Sequence, residues 1–223
     1  MSIATVLFDV DGTLIDTVYA HVDAWDRAFH SRDISIPEWE IHRQIGKDGS
    51  LLVRDLLTRH DIEVDDELIA VLSTVHATAF ATTTDRMSVL PGARDLVQAC
   101  SDRGATVVLA SSSPADELDA ARAALDIDAW IDAVTTSADV ETAKPDTGIV
   151  KVALDRVGAD ASTALMFGDA VWDSIAATAA GVRSIGLLSG GISRDELLSA
   201  GARMVFTDPA DVVDSLDDLW ESL

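Results

Sequence analysis

The chain has 223 residues, enough for one sizeable core or for a core domain that carries a smaller insert. Its 39 acids stand against 16 Lys and Arg, a formal net charge of −23, which excludes the basic footprint a nucleic-acid partner needs and disfavours docking on anionic lipid. A single cysteine, Cys100, excludes an internal disulfide framework. No apolar run nears the ~20 residues of a membrane span and no basic leader opens the chain, so the expectation is a cytoplasmic protein with no membrane partner. So acidic a surface suits high salt, where screening removes self-repulsion. It also repels phosphorylated compounds, so any phosphate site needs local cations, and each of the three lysines, Lys47, Lys144 and Lys151, becomes informative.

The first element is a strand over 2–8, "SIATVLF", ending in Asp9-Val10-Asp11-Gly12-Thr13. Residues i and i+2 of an extended chain point to the same side, so both carboxylates face one site, and Gly12 allows a sharp turn after them. Residues 16–85 then show helical periodicity without strand runs, over 18–30, 49–60 and 66–80, and read as a helical cap domain inserted after the first strand. His21 lies on the first of these helices. Arg43 precedes, and Lys47 sits within, the glycine-flanked loop "IGKDGS" (45–50), where all three are candidate substrate contacts alongside the plainer roles of packing and solvated charge.

The remainder, 86–223, joins 1–15 as the core domain. A helix over 91–104 opens with Pro and closes with Gly; a strand over 105–110 runs into Ser111; a helix over 113–125 begins at a Ser able to cap it. Lys144 and Pro145 precede a helix over 146–158. A strand over 162–167 leads into "FGDAVWDS", with Asp169 at the strand end and Asp173 in the first turn of a helix over 173–181, and strands follow over 182–188 and 202–206. These apolar runs are continuous rather than alternating, as in strands buried on both faces. The pattern predicts an α/β fold: a Rossmann-like open parallel sheet with helices on both faces, plus the inserted cap.

Ligands of such sheets sit beyond the carboxyl ends of the strands, where these four segments converge. Two carboxylates sharing a buried site need a compensating cation. A hard dication such as Mg²⁺, taking oxygen ligands from Asp9 and Asp169, meets that need. Asp9 can then attack phosphorus as a nucleophile, and Asp11 can serve as general acid and later as general base. Lys144 supplies a point charge for phosphate, and the hydroxyls of Thr13 and Ser111 supply donors; Ser112 and Ser113 are alternatives to Ser111.

In order and spacing, DVDGT (9–13), Ser111, Lys144 in "AKPD" and "GDAVWD" (168–173) resemble the four motifs of the haloacid dehalogenase superfamily, specifically its phosphoglycolate-phosphatase-like branch. The resemblance covers essentially the whole chain. It implies Mg²⁺ held by Asp9, Asp169 and the main-chain carbonyl of Asp11, with Asp173 as a supporting carboxylate and Lys144 near it. It implies hydrolysis of a small phosphorylated metabolite by a monomer or homodimer. Asp11 disfavours the dehalogenases and phosphonoacetaldehyde hydrolases of the superfamily, which lack a carboxylate there. A phosphomutase of the β-phosphoglucomutase type, kept open by His21, and a catalytically silent binding relative stand as alternatives.

Overall fold

The computed structural model describes residues 3–83, 87–139 and 147–222. In chain order it contains β1 (Thr5–Phe8), β2 (Ile15–Asp16), α1 (Val18–His30), α2 (Glu38–His42), α3 (Gly49–Arg59), α4 (Asp66–Ala81), β3 (Ser88–Val89), α5 (Ala93–Asp102), β4 (Thr106–Ala110), α6 (Ala115–Leu125), β5 (Ala133–Thr135), α7 (Gly148–Val157), β6 (Ala164–Gly168), α8 (Val171–Ala179), β7 (Arg183–Leu187), α9 (Arg194–Ser199), β8 (Ala202–Phe206), α10 (Pro209–Asp214) and α11 (Leu216–Ser222). Six strands form one sheet in the order β5-β4-β1-β6-β7-β8, and every neighbouring pair is parallel.

Strand alternation divides the apolar runs between two cores. Val6, Phe8, Leu109 and Phe167 face one layer, covered by α5, α6, α10 and α11. Leu7, Val108 and Met166 face the other, covered by α7 and α8. With both faces sealed, an inner strand has no polar side to present, which is why these segments read as unbroken apolar runs. Phe8 and Phe167 stack with ring centroids 5.1 Å apart and fix β1 against β6 at the end where the site forms.

The helical block α1–α4 leaves and re-enters the core through a two-residue antiparallel ribbon, Ile15 opposite Val89 and Asp16 opposite Ser88. It has its own core, built on Trp25, Phe29, Ile41, Leu52, Leu56 and Leu72. Asp48 and Asp65 cap α3 and α4, their carboxylates accepting from the amides of Ser50 and Leu51 and of Leu68. No helix of the described residues is long and apolar enough to cross a membrane.

Four details depart from expectation. The edge strand β5, the β2–β3 ribbon and helix α2 span five residues or fewer, too short for a period to register. Helix α6 starts after Pro114 with no side-chain cap. The expected cap from Ser113 is therefore corrected: the N-cap position falls on Pro114, and the Ser113 hydroxyl turns to the site, donating to Asp11 Oδ2 at 2.7 Å.

Candidate active site

The amide of Asp9 still donates to the carbonyl of Phe167, at 3.0 Å, as a last rung of the β1–β6 ladder. The chain then turns at Gly12, whose φ of +77° favours glycine, and the Gly12 amide donates to the Ile15 carbonyl at 2.7 Å. The turn leaves Asp9 buried and brings Asp11 to the boundary between core and cap.

Asp169 follows β6 and is buried; Asp173 sits in the first turn of α8, where its Oδ2 accepts from the Ala170 amide at 3.0 Å. Asp9, Asp169 and Asp173 each offer an oxygen, and those oxygens lie within 4.8 Å of one another. Burial pushes the Asp169 carboxyl well above the usual range, and the charges of Asp173 and Asp9 push it further. Thr13 Oγ1 donates to Asp169 Oδ1 at 3.0 Å. An all-oxygen acidic set in which burial and mutual repulsion disfavour the ionised Asp169 fits a hard dication, whose charge would offset both. Gly12 and Gly190 flank Asp169, and a β-carbon at either position would fall 2.3 Å or 1.8 Å from its Oδ2.

Asp11 has the opposite electrostatics. Burial alone would raise its pKa, but the His21 charge and hydrogen bonds from His21, Thr17 and Ser113 hold it well below the carboxylate range. His21 Nε2 lies 3.3 Å and Thr17 Oγ1 2.6 Å from Asp11 Oδ1. Burial would lower the His21 pKa, yet the Asp11 carboxylate outweighs it and the net shift is upward. The pairing thus favours a carboxylate beside a protonated imidazole. His21 Nδ1 lies 3.1 Å from His76 Nε2, and His76, held neutral by burial and by the His21 charge, accepts there. His76 Nδ1 in turn faces Glu117 Oε1 at 4.0 Å, and burial pushes Glu117 up to about 7. The histidines are wedged between rings, Phe80 at 3.9 Å from His21 and Trp25 at 4.1 Å from His76.

Sequence reasoning found neither His76 nor Glu117. A signal existed for the first: His76 falls in register with Ile69, Leu72 and Phe80 on the buried face of α4. Glu117 reads as an ordinary first-turn acid of a helix and carried none.

A cavity of about 260 Å³ between cap and core is lined by Asp9, Asp11, His21 and His76 together with Ser112, Ser113 and Glu117. Ser111 is buried, and its Oγ accepts from the Ser113 amide at 3.0 Å. Lys47 borders the cavity, but its ammonium pairs with Asp55 and lies 3.9 Å from the Trp172 ring centroid. Contrary to expectation, Arg43 does not border the cavity: it pairs with Glu196 of the core, while its carbonyl accepts from Trp172 Nε1 at 3.2 Å. It ties cap to core, as does His42, whose Nε2 lies 2.8 Å from the Gly190 carbonyl. Lys144 lies outside the described residues.

A doubly wound parallel sheet, a helical insert after its first strand and acids gathered at the strand ends define a capped α/β hydrolase. Residues 3–181 match the family model of the haloacid dehalogenase-like hydrolases, and the chain belongs to that family, in its phosphoglycolate-phosphatase-like branch. It is 31% identical over 217 residues to the phosphoglycolate phosphatase of Rhodospirillum rubrum, spanning 95% of this chain and 90% of that protein. It is 25% identical over 219 residues to the phosphorylated carbohydrates phosphatase of Thermotoga maritima, spanning 96% and 98%. The crystal structure of a hydrolase from Pseudomonas syringae superposes with a TM-score of 0.93 at 35% identity, covering 97% of this chain and 99% of that one.

Proposed function

We propose that the protein is a Mg²⁺-dependent phosphatase that hydrolyses a small phosphate monoester, phosphoglycolate or a sugar phosphate, through an aspartyl-phosphate at Asp9. The observation that carries this reading is the contrast between two neighbouring carboxyl groups. Asp9 sits in a buried acidic cluster that calls for a cation, while Asp11, two residues on, pairs with His21.

Asp9, Asp169 and the Asp11 carbonyl would hold the metal, with Asp173 beside them. Bound there, it would supply neutralising charge for the cluster and for the phosphoryl oxygens. An Asp9 carboxylate oxygen attacks phosphorus, and the bond from phosphorus to the ester oxygen breaks. The proton shared by Asp11 and His21 goes to that leaving oxygen, giving the free alcohol. Asp11, again a base, then takes a proton from water as the water oxygen attacks phosphorus, releasing inorganic phosphate and restoring Asp9. Ser113 and Thr17 hold the Asp11 carboxylate in place through both steps. Lys144 is the residue we assign to phosphate charge.

Asp9→Asn tests the route. Phosphate release should fall by roughly a thousandfold or more, with the thermal midpoint and circular dichroism retained. Turnover within tenfold of the native rate would overturn the covalent step. The His21–Asp11 contact also favours a second reading, phosphomutase activity, because a mutase must protonate and deprotonate two sugar oxygens in turn. Isomerisation of glucose 1-phosphate without phosphate release would select it.

A further inference from the structure

Beyond the reacting carboxylates, the cavity wall contains two buried polar atoms with no hydrogen-bond partner among the described residues: Ser112 Oγ and Glu117 Oε1. The Glu117 side chain is only 10% exposed, and its Oε1 lies 4.0 Å from His76 Nδ1, beyond hydrogen-bond reach. Leaving such atoms unpaired weakens a fold, so their place beside the site points to a ligand that completes them. The missing partner is a group that donates to Glu117 and accepts from or donates to Ser112. A hydroxyl does both. Ser73 and Ser137, also on the wall, extend the hydroxyl-rich lining.

The same wall is hostile to a second anion. Asp48 and Glu117 border it, and Lys47, which among the described residues is the one lysine or arginine that does so, is held by Asp55 and by Trp172. Outside the Asp11–His21 pair, a leaving group ending in a carboxylate would meet the Asp48 carboxylate and, among the described residues, no lysine or arginine free to pair with.

We propose that Glu117 and Ser112 are specificity-determining residues that hydrogen-bond a hydroxyl of the leaving group, so that the substrate is the monophosphate of a neutral sugar or polyol and not of a carboxylic acid. The inference rests on the phosphatase reading above and narrows it. Burial that pushes Glu117 up to about 7 is consistent with it, since either protonation state accepts a bond from a hydroxyl.

The test uses the intact protein with Mg²⁺ and two substrate pairs that differ at one carbon: sorbitol 6-phosphate against 6-phosphogluconate, and glycerol 3-phosphate against 3-phosphoglycerate. Acetyl phosphate, which presents neither group to the far wall, reports on phosphoryl transfer itself. The alcohol member should be preferred in kcat/KM by about tenfold or more in both pairs. Glu117→Gln, which keeps volume and an acceptor but adds an amide donor and loses the charge, should shift that ratio at least about fivefold toward the acid. An acid member hydrolysed as well as its alcohol partner, or a ratio unmoved by Glu117→Gln, overturns the proposal while acetyl phosphate turnover leaves the phosphatase reading intact. No phosphate release from any of the five compounds overturns both.

Discussion

A β-carbon at position 190 would lie 1.8 Å from Asp169 Oδ2, so Gly190→Ala must displace the carboxylate that the metal cluster depends on. Loss of about a hundredfold in kcat, with a raised Mg²⁺ requirement, is the expected outcome of such a shift in a positioned ligand; native activity across a Mg²⁺ titration would show that Asp169 has room to spare. Position 190 was not legible in the sequence, because nothing local marks a glycine whose neighbour lies 21 residues away. Asp9, Asp11 and Asp169 were legible because each ends an apolar run that nothing but a strand explains. His76 and Glu117 act across a cap–core boundary, and no local pattern records that meeting. Their electrostatics nonetheless predict the pH dependence of stability. The Glu117 carboxyl rises from its ordinary 4.5 to about 7, so the folded state binds more protons than the unfolded chain between those values, and stability falls as pH rises through that window. For a side chain this buried the loss is about 3 kcal/mol. The raised His21 adds in the same direction: its contribution is full below pH 6.5 and is lost above it. Asp11 and His76, both lowered by their surroundings, act oppositely, but only below their ordinary 3.8 and 6.5. In metal-free buffer the thermal midpoint should therefore fall from pH 6.5 to pH 8.5, and Glu117→Gln should flatten the slope. A midpoint that rises across this range would contradict the assignment.

At the scale of elements, the inner strands were readable for a thermodynamic reason: a strand covered on both faces has to be apolar throughout, and Val6, Leu7 and Phe8 are each fully buried. The three long cap helices were readable through their apolar stripes, down to α1 starting at Val18. What escaped were elements whose existence depends on a partner: β5 exists because Val108–Ala110 offers an edge to pair with, and the β2–β3 ribbon because the chain closes on itself after 70 residues. The cap's separate core makes a separable prediction. Phe29 is fully buried among cap residues, and Phe29→Ala removes a ring that the neighbouring helices cannot refill, at a cost of about 3–5 kcal/mol. Hydrogen exchange should then report faster opening of α1–α4 while β1, β4 and β6 stay protected. Uniform loss of protection across both regions would mean that cap and core unfold as one unit.

For the whole molecule, the governing quantity is the charge of −23. The described cations are largely engaged in local pairs, such as Arg27 with Asp23, Arg54 with Asp66 and Arg156 with Asp139, so the surplus acids face one another with little between them. Exposed pairs of this kind contribute little to stability, and the folded state brings the remaining acids closer than the unfolded chain does. Salt relieves that repulsion: the screening length falls from about 30 Å at 0.01 M to about 10 Å at 0.1 M and 3 Å at 1 M. The thermal midpoint should accordingly rise with NaCl, most steeply below about 0.1 M where the screening length shrinks fastest, and a gain of 1 kcal/mol corresponds to roughly 2–4 °C for a chain of this size. The same field opposes the approach of a phosphate dianion, so kcat/KM should also increase with ionic strength at fixed saturating Mg²⁺, the reverse of the dependence seen when an enzyme attracts its substrate electrostatically. If the midpoint is flat between 0.01 and 0.5 M NaCl and kcat/KM falls, the surface acids are locally compensated and the net charge has no mechanical consequence for either folding or substrate capture.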